Sequence, residues 1–429
     1  DDAMLDSTRE MERFVRCISN DPDVAKAALM IDSSHWDTIL AGLKNAQGRC
    51  IVNSISLKEG PEELIRKART IKEMGAAMVF MAFDEHGQAV TFEKKTEICQ
   101  RAYDILTKEA GISPEDIIFD ANILSIGTGI EEHARYAVDF IEAVRWIKKN
   151  LPGSLTSGGV SNLSFAFRGN NTVREAMHSA FLYHAVQAGL DMAIVNPSML
   201  QVYDKIEPEL LKCVEDVIFD TDPQATERLI AKASGIKKAE ASDTVEGKLE
   251  KTADVTHDST EISARLRNAI IKGMTSGLET DLKEALREYG SASAVIEGPL
   301  MTGMEEVGKN FGEGKMFLPQ VVKSAKVMRD AVAILEPYIG SDTLAISDTA
   351  RPTVVLATVK GDVHDIGKNI TGIVLSCNGF DVRDLGVMAD KATILSEAGK
   401  AGADIIAVSG LITPSLFQME ELCREMAAR

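Results

Sequence analysis

Val354 to Asn369 reads VVLATVKGDVHDIGKN: six apolar or small residues, then a short polar loop, then the start of a helical pattern. A run this short and this apolar is a strand buried on both faces, and in such a sheet the loop after the strand lies at the carboxyl edge, where open α/β folds take their ligands. Downstream the alternation continues. Ile366 to Cys377 carries helical spacing, Asp381 to Leu385 a second strand, Ala392 to Ala401 a second helix and Ala403 to Ser409 a third strand. This is the front half of a flavodoxin-like, Rossmann-like sheet. Asp362 and His364, two residues apart in the loop, let a carboxylate accept from one imidazole nitrogen while the other faces outward, an arrangement that raises the basicity of a metal-binding histidine. Gly367 allows a bulky ligand close to the backbone. A phosphate loop is excluded, since five residues separate Gly361 from Gly367 and Asn369 follows Lys368 where Ser or Thr is needed.

Upstream the pattern changes twice. From His257 to Ile339 apolar residues recur at three- and four-residue spacing, with breaks near Gly277, Gly290 and Gly312 to Gly314, which predicts a four-helix bundle. From the start to about Asp220, apolar runs alternate with amphipathic stretches: Ala28 to Ser33, Ile51 to Ser56, Met78 to Asp84, Ile117 to Ile123, Ser154 to Ser161 and Met192 to Pro197. Six such units predict a (β/α)8 TIM barrel lacking two. Its strand ends carry Asp32, Asn53, Asp84, Asp120, Asn122, Asn162 and Asn196, the positions that build sites in this architecture. The same residue types also cap the helices that follow strands. The expected division is 1–222 for the partial barrel, 223–256 for a Lys- and Glu-rich linker, 257–340 for the helices, 341–352 for a second linker and 353–429 for the partial Rossmann-like domain. Both ends cut through folds that should continue, so a fragment of a longer polypeptide is expected.

Composition narrows the function. Net charge is −18, with 45% hydrophobic and 26% charged residues. Phosphate backbones need a concentrated basic face, and none is visible, so no nucleic-acid partner is expected. No apolar run reaches the ~18–20 residues that span a bilayer, and the acidic start is no secretory signal, so no membrane partner and a cytoplasmic location are expected. The six cysteines are scattered, with no C-x-x-C pair, which fits free thiols and provides no structural zinc site.

The D-x-H-x-x-G loop, together with Ser409-Gly410-Leu411-Ile412-Thr413-Pro414-Ser415 after the third strand, resembles the B12-binding module of corrinoid methyltransferases and mutases. The resemblance implies that His364 replaces the cofactor's own benzimidazole as lower axial ligand of cobalt. It implies that Asp362 and Ser415 complete a hydrogen-bonded relay and that Ser409 and Thr413 line the nucleotide-tail pocket. Gly361, Val363, Asp365, Ile366 and Gly367 would contact the cofactor as the rest of the loop. Glu297-Gly298-Pro299-Leu300-Met301 and Phe311 to Val321 (FGEGKMFLPQV) resemble the helical cap of the cobalamin-dependent methionine synthase family. There Glu297, Phe311, Leu318 and Val321 would lie against the upper corrin face, an apolar lid that excludes water and oxygen. Bundle core is the other use for such residues.

The first segment resembles the pterin-binding domain of the same family, through Ile31-Asp32-Ser33-Ser34, Ile51 to Gly60 (IVNSISLKEG), Phe119-Asp120-Ala121-Asn122 and Ser157 to Phe165 (SGGVSNLSF). By resemblance Asp32, Asn53, Asp120, Asn122 and Asn162 bind the pterin of 5-methyltetrahydrofolate, and Asn162 faces N5, where a developing proton needs stabilisation. The implied reaction carries a methyl group from 5-methyltetrahydrofolate to cobalamin, as methylcobalamin, and on to homocysteine. The homocysteine module, with its zinc, and an S-adenosylmethionine reactivation module would lie outside this stretch. Cap and barrel cannot share the upper face, so movements about the linkers are expected. A noncatalytic corrinoid carrier and an adenosylcobalamin mutase remain as other uses of the same loop.

Overall fold

The protein is described by a computed structural model covering residues 5–243, 261–313, 315–339, 352–360, 362, 368, 371–372, 375–376, 380–410 and 413–428. The N-terminal part is a parallel sheet built from β1 (Met30–Asp32), β2 (Ile51–Ile55), β3 (Ala77–Met81), β6 (Ile117–Asp120) and β7 (Leu155–Ser157), in that order. A small antiparallel pair, β4 (Phe83–Asp84) and β5 (Gly87–Gln88), interrupts it after β3. Helices Trp36–Asn45, Pro61–Glu73, Phe92–Asp104, Tyr136–Asn150 and Asn171–Ala188 alternate with the strands. β3 and β6 are apolar along their length because both faces are covered. Phe80 and Phe119 meet edge-to-face at 5.7 Å between ring centres, and Phe140 and Phe181 meet at a tilt at 5.6 Å, each pair adding ~0.5–1.5 kcal/mol beyond its burial.

Two expectations need correction. Met192 to Pro197 is not a full strand: the ladder runs on from β7 through Met192 N–H to Thr156 O (3.0 Å) and Ile194 N–H to Gly158 O (2.9 Å), leaving one bridge, Gly159 to Ile194. Asn196 then turns its side chain onto Ser198 N–H (3.1 Å) and Pro197 opens a 3₁₀ turn, so local hydrogen bonding ends the extension. The stretch from 223 is also not wholly linker. Helix Ala225–Asp243 buries Ala225, Leu229 and Ala233 in the N-terminal apolar cluster, while Glu227 and Arg228 are exposed.

Helices Ile262–Lys272, Leu278–Tyr289, Met301–Gly312 and Leu318–Ile339, with the short turn Ala292–Val295 running into a wider turn over Ile296–Leu300, form the middle segment. Leu266, Ile270, Leu282, Val295, Val307, Met328 and Leu335 make their own buried cluster. The loop before helix Leu318–Ile339 packs elsewhere. Phe317 and Leu318 are buried in the N-terminal cluster, with the Phe317 ring 5.8 Å from that of Phe167. Gly129, at φ +81°, meets Pro319 so closely that a Cβ there would lie 3.4 Å from the Pro319 carbonyl oxygen. Last come β8 (Thr353–Thr358), β9 (Asp381–Asp384) and β10 (Ile405–Ser409), all parallel, in the order β10-β8-β9, with helices Lys391–Ala401 and Thr413–Ala428. The helix expected over Ile366 to Cys377 falls largely outside the described residues.

Replacing Leu229 by Ala should cost ~2–5 kcal/mol in the unfolding of the N-terminal part, as removal of a fully buried leucine does. Urea denaturation followed by fluorescence reads this directly, because both tryptophans, Trp36 and Trp146, lie there; a change under half a kcal/mol, the range of surface substitutions, would return the helix to linker status.

Candidate functional site

The strand ends of the N-terminal sheet divide into two kinds. At Asp84 and Asn196 the side chains are used locally: Asp84 accepts from His86 N–H (2.9 Å) and Gly87 N–H (3.1 Å) and pairs with Lys94 (2.9 Å), while Asn196 caps the turn after it. At the other ends the side chains bond across to a neighbouring strand or along their own strand end. Asn53 Nδ2 donates to Asp32 Oδ2 at 3.1 Å, a register consequence of β1 pairing Asp32 directly with Asn53. Asp32 keeps one edge open to solvent, yet lost hydration around it pushes its carboxyl above the ordinary value, with the Asn53 hydrogen bond opposing.

Asp120, at the end of β6, is buried at 6% exposure, and this lifts its carboxyl to about 6 against the opposing pull of the Asn122 amide and the Lys95 charge. Asn122 N–H donates to Asp120 Oδ1 (2.8 Å) and Asn122 Nδ2 to Ala82 O (2.8 Å). Among the described residues the buried Asn122 Oδ1, Ser125 Oγ and Ser157 Oγ have no hydrogen-bond partner. Buried polar atoms are almost always satisfied, so unpaired acceptors and hydroxyls around a carboxylate fit a polar heterocycle with its own donors. Asn162 ends the 3₁₀ turn Val160–Asn162 after β7 and is exposed. Ser125 and Ser157 were not among the residues expected from sequence. Ser157 lay within a quoted stretch, but nothing in the type or spacing of a serine distinguishes a pocket hydroxyl from an ordinary turn.

In the C-terminal sheet, Asp362 is fully buried just past β8 and accepts from Ser415 Oγ at 2.7 Å. A buried, charge-assisted pair of this length fits the relay that a cobalt-binding imidazole would use. Ser415 is brought there by close packing at the end of β10: a Cβ on Gly410 would sit 2.3 Å from that of Ser415, so only glycine allows the last helix to start so near the strand. Ser409 ends β10, its carbonyl accepting from Val359 N–H (3.0 Å). Lys368 is buried and paired with Asp384, at the end of β9. Gly361, Val363, His364, Asp365, Ile366 and Gly367 lie outside the described residues, as do the side chain of Thr413 and that of Pro414.

The cap residues are dispersed. Glu297 is exposed, Phe311 is 43% exposed, Leu318 belongs to the N-terminal apolar cluster and Val321 to that of the helices. Lys58, three residues past β2, is held below the usual lysine range by burial, while Glu59 and then Asp362 act to restore it and Lys360 and Lys67 act to lower it.

Residues 1–196 match the pterin binding enzyme family model, and residues 262–336 and 352–429 match two B12 binding domain models. Partly similar solved structures include a cobalamin-binding protein from Desulfitobacterium hafniense DCB-2, 26% identical over 40% of this chain and 78% of that one (TM-score 0.34). The methanol:cobalamin methyltransferase complex of Methanosarcina barkeri is 25% identical over 46% and 75% (TM-score 0.35). The monomethylamine corrinoid protein of the same organism is 30% identical over 39% and 77% (TM-score 0.27). No helix among the described residues is long and apolar enough to cross a membrane. The chain joins, in one polypeptide, a pterin-binding domain and two B12-binding domains.

Proposed function

We propose that this chain passes a methyl group from N5 of 5-methyltetrahydrofolate, held at the strand ends of the N-terminal sheet, to cobalamin held by the C-terminal sheet, as part of a cobalamin-dependent methionine synthase whose final acceptor is homocysteine. The observation that carries the reading is that one polypeptide matches a pterin binding enzyme model over residues 1–196 and B12 binding domain models over residues 262–336 and 352–429. It supports a donor side and an acceptor side within one chain. Homocysteine activation and S-adenosylmethionine-dependent reactivation belong, on this reading, to further modules.

Each residue then has a chemical task. Asp32 and Asp120 accept from the donor edge of the pterin, and Asn53 and Asn122 supply amide groups to its ring. Asn162 holds the proton at N5, so that the departing folate leaves as a neutral amine. Cobalamin, when bound, supplies a metal that can both accept and release methyl. His364 would ligate that metal, with Asp362 and Ser415 holding its far nitrogen and able to take up or release a proton there. Ser409 and Thr413 would receive the nucleotide tail.

Purified chain loaded with methylcobalamin should show a histidine-ligated visible spectrum that His364→Gly converts to the form without a lower ligand; a spectrum indifferent to this change would remove His364 from the metal. Adding 5-methyltetrahydrofolate to chain carrying cob(I)alamin should consume the cob(I)alamin absorbance, and Asn162→Ala should slow that step by ~10²–10⁴-fold, the range of a positioned proton donor. No consumption by the unmodified chain would leave a carrier rather than a transferase. Ser415→Ala should weaken the C-terminal sheet by ~1–3 kcal/mol, seen as faster hydrogen exchange of β8 amides, because a buried carboxylate loses its hydroxyl donor.

A further inference from the structure

Lys95 lies on helix Phe92–Asp104 with its side chain wholly enclosed, at 0% exposure. Its ammonium donates to three backbone carbonyl oxygens, those of Ala121 (2.6 Å), Asn122 (2.9 Å) and Ala89 (3.2 Å). An ammonium carries three protons, so its whole donor capacity goes to main chain. Burying a charge that way is expensive and calls for a return elsewhere. The return is visible at the end of β6. Asn122 sits at φ +62°, a left-handed conformation uncommon for a residue with a side chain, and two of the three carbonyls that Lys95 binds are those of Asn122 and the residue before it. That same turn brings Asn122 N–H onto Asp120 Oδ1 at 2.8 Å and leaves Asn122 Oδ1 buried without a partner among the described residues.

We propose that Lys95 is a positioning residue of the pterin site: bound beneath the strand end to the carbonyls of Ala121 and Asn122, it fixes the turn that presents the Asp120 carboxylate and the Asn122 amide oxygen as acceptors to the donor edge of a pterin. The inference rests on the pterin reading above. Lys95 never touches the ligand; it acts through the turn and through its charge.

The charge gives a distinguishing signature. Burial lifts Asp120 to about 6, and Lys95 acts against that rise. Burial lowers Lys95 itself to about 8, with Asp120, Cys99 and Asp139 acting against the fall. Cys99, one turn along the helix, has its thiol pushed up by burial and stays neutral. Asp139, from helix Tyr136–Asn150, is raised by burial and restrained by Arg135 and Lys95, while Glu93 raises it further. At neutral pH the pair is thus cation and anion. An ionised carboxylate offers both oxygens to the donors of a pterin edge, whereas protonation turns one of them into a donor, so pterin binding is full above about 6 and weakens as pH falls through it. Without the lysine charge the value climbs, and the loss begins at higher pH.

Tetrahydrofolate, which has no methyl group to give, is the probe, and its binding to the full chain is measured by calorimetry from roughly pH 5.5 to 8.5, a window spanning both groups. Lys95→Met should bind it about 10-fold more weakly or worse at pH 7, with the binding midpoint moved up by about one pH unit. Lys95→Arg, which keeps the charge but not the fit to three carbonyls, should bind more weakly at an unmoved midpoint. A folded Lys95→Met protein with wild-type affinity, or with uniformly weaker binding at the wild-type midpoint, overturns the proposal. If Lys95→Met does not fold, wild-type affinity in Lys95→Arg overturns it and weaker binding at the unmoved midpoint supports it. Wild-type chain that binds no tetrahydrofolate overturns the pterin reading and this proposal with it.

Discussion

Parallel strands buried on both faces can tolerate polar side chains only where they emerge. β3 and β6 are buried along nearly their whole length, and the carboxyl end of β6 is where Asp120 stands. β1 and β2 set Asp32 beside Asn53 by the same pairing rule. The C-terminal sheet repeats the constraint on a smaller scale: β8 is apolar until Thr358, and Asp362 follows within its loop. Backbone hydrogen bonding thus gathers the polar residues of each sheet at one rim.

Much of this organisation was legible because short apolar runs separated by amphipathic stretches leave few alternatives. The three strands of the C-terminal sheet stand within a residue or two of where the pattern put them, β9 among them although its Asp381, Arg383 and Asp384 are exposed or charged. The misreadings have physical causes. Met192 to Pro197 has strand composition, but an Asn-Pro pair offers its backbone a competing turn. Helix Ala225–Asp243 looks like linker because its charge is counted over the whole stretch, whereas its fold is decided by the few residues Ala225, Leu229 and Ala233 on one stripe.

The site was less legible than the fold. Lys94 and Lys95 are neighbours of identical type, yet one is partly exposed and pairs with the Asp84 carboxylate while the other is enclosed. The only trace in the sequence is periodicity: Lys95, Ile98, Cys99 and Ala102 recur at the spacing of a single buried helix face. Unpartnered hydroxyls such as Ser125 and Ser157 leave no trace of that kind, since their meaning comes from what surrounds them and not from where they fall in the chain. Asp362 and Ser415, 53 residues apart, form a contact that resemblance named and the tight approach at Gly410 makes geometrically intelligible.

The loop before helix Leu318–Ile339 gives the molecule a mechanical threshold. Phe317 and Leu318 are seated in the apolar cluster of the N-terminal part, against Phe167 and beside Gly129. Lifting the helices away requires both side chains to be withdrawn, at ~1.5–3 kcal/mol each if they pass into water. The exposed Lys323–Glu227 pair adds little to that. A surface that gave the same two side chains equal shelter would offset that cost, whereas withdrawal into water would carry it in full.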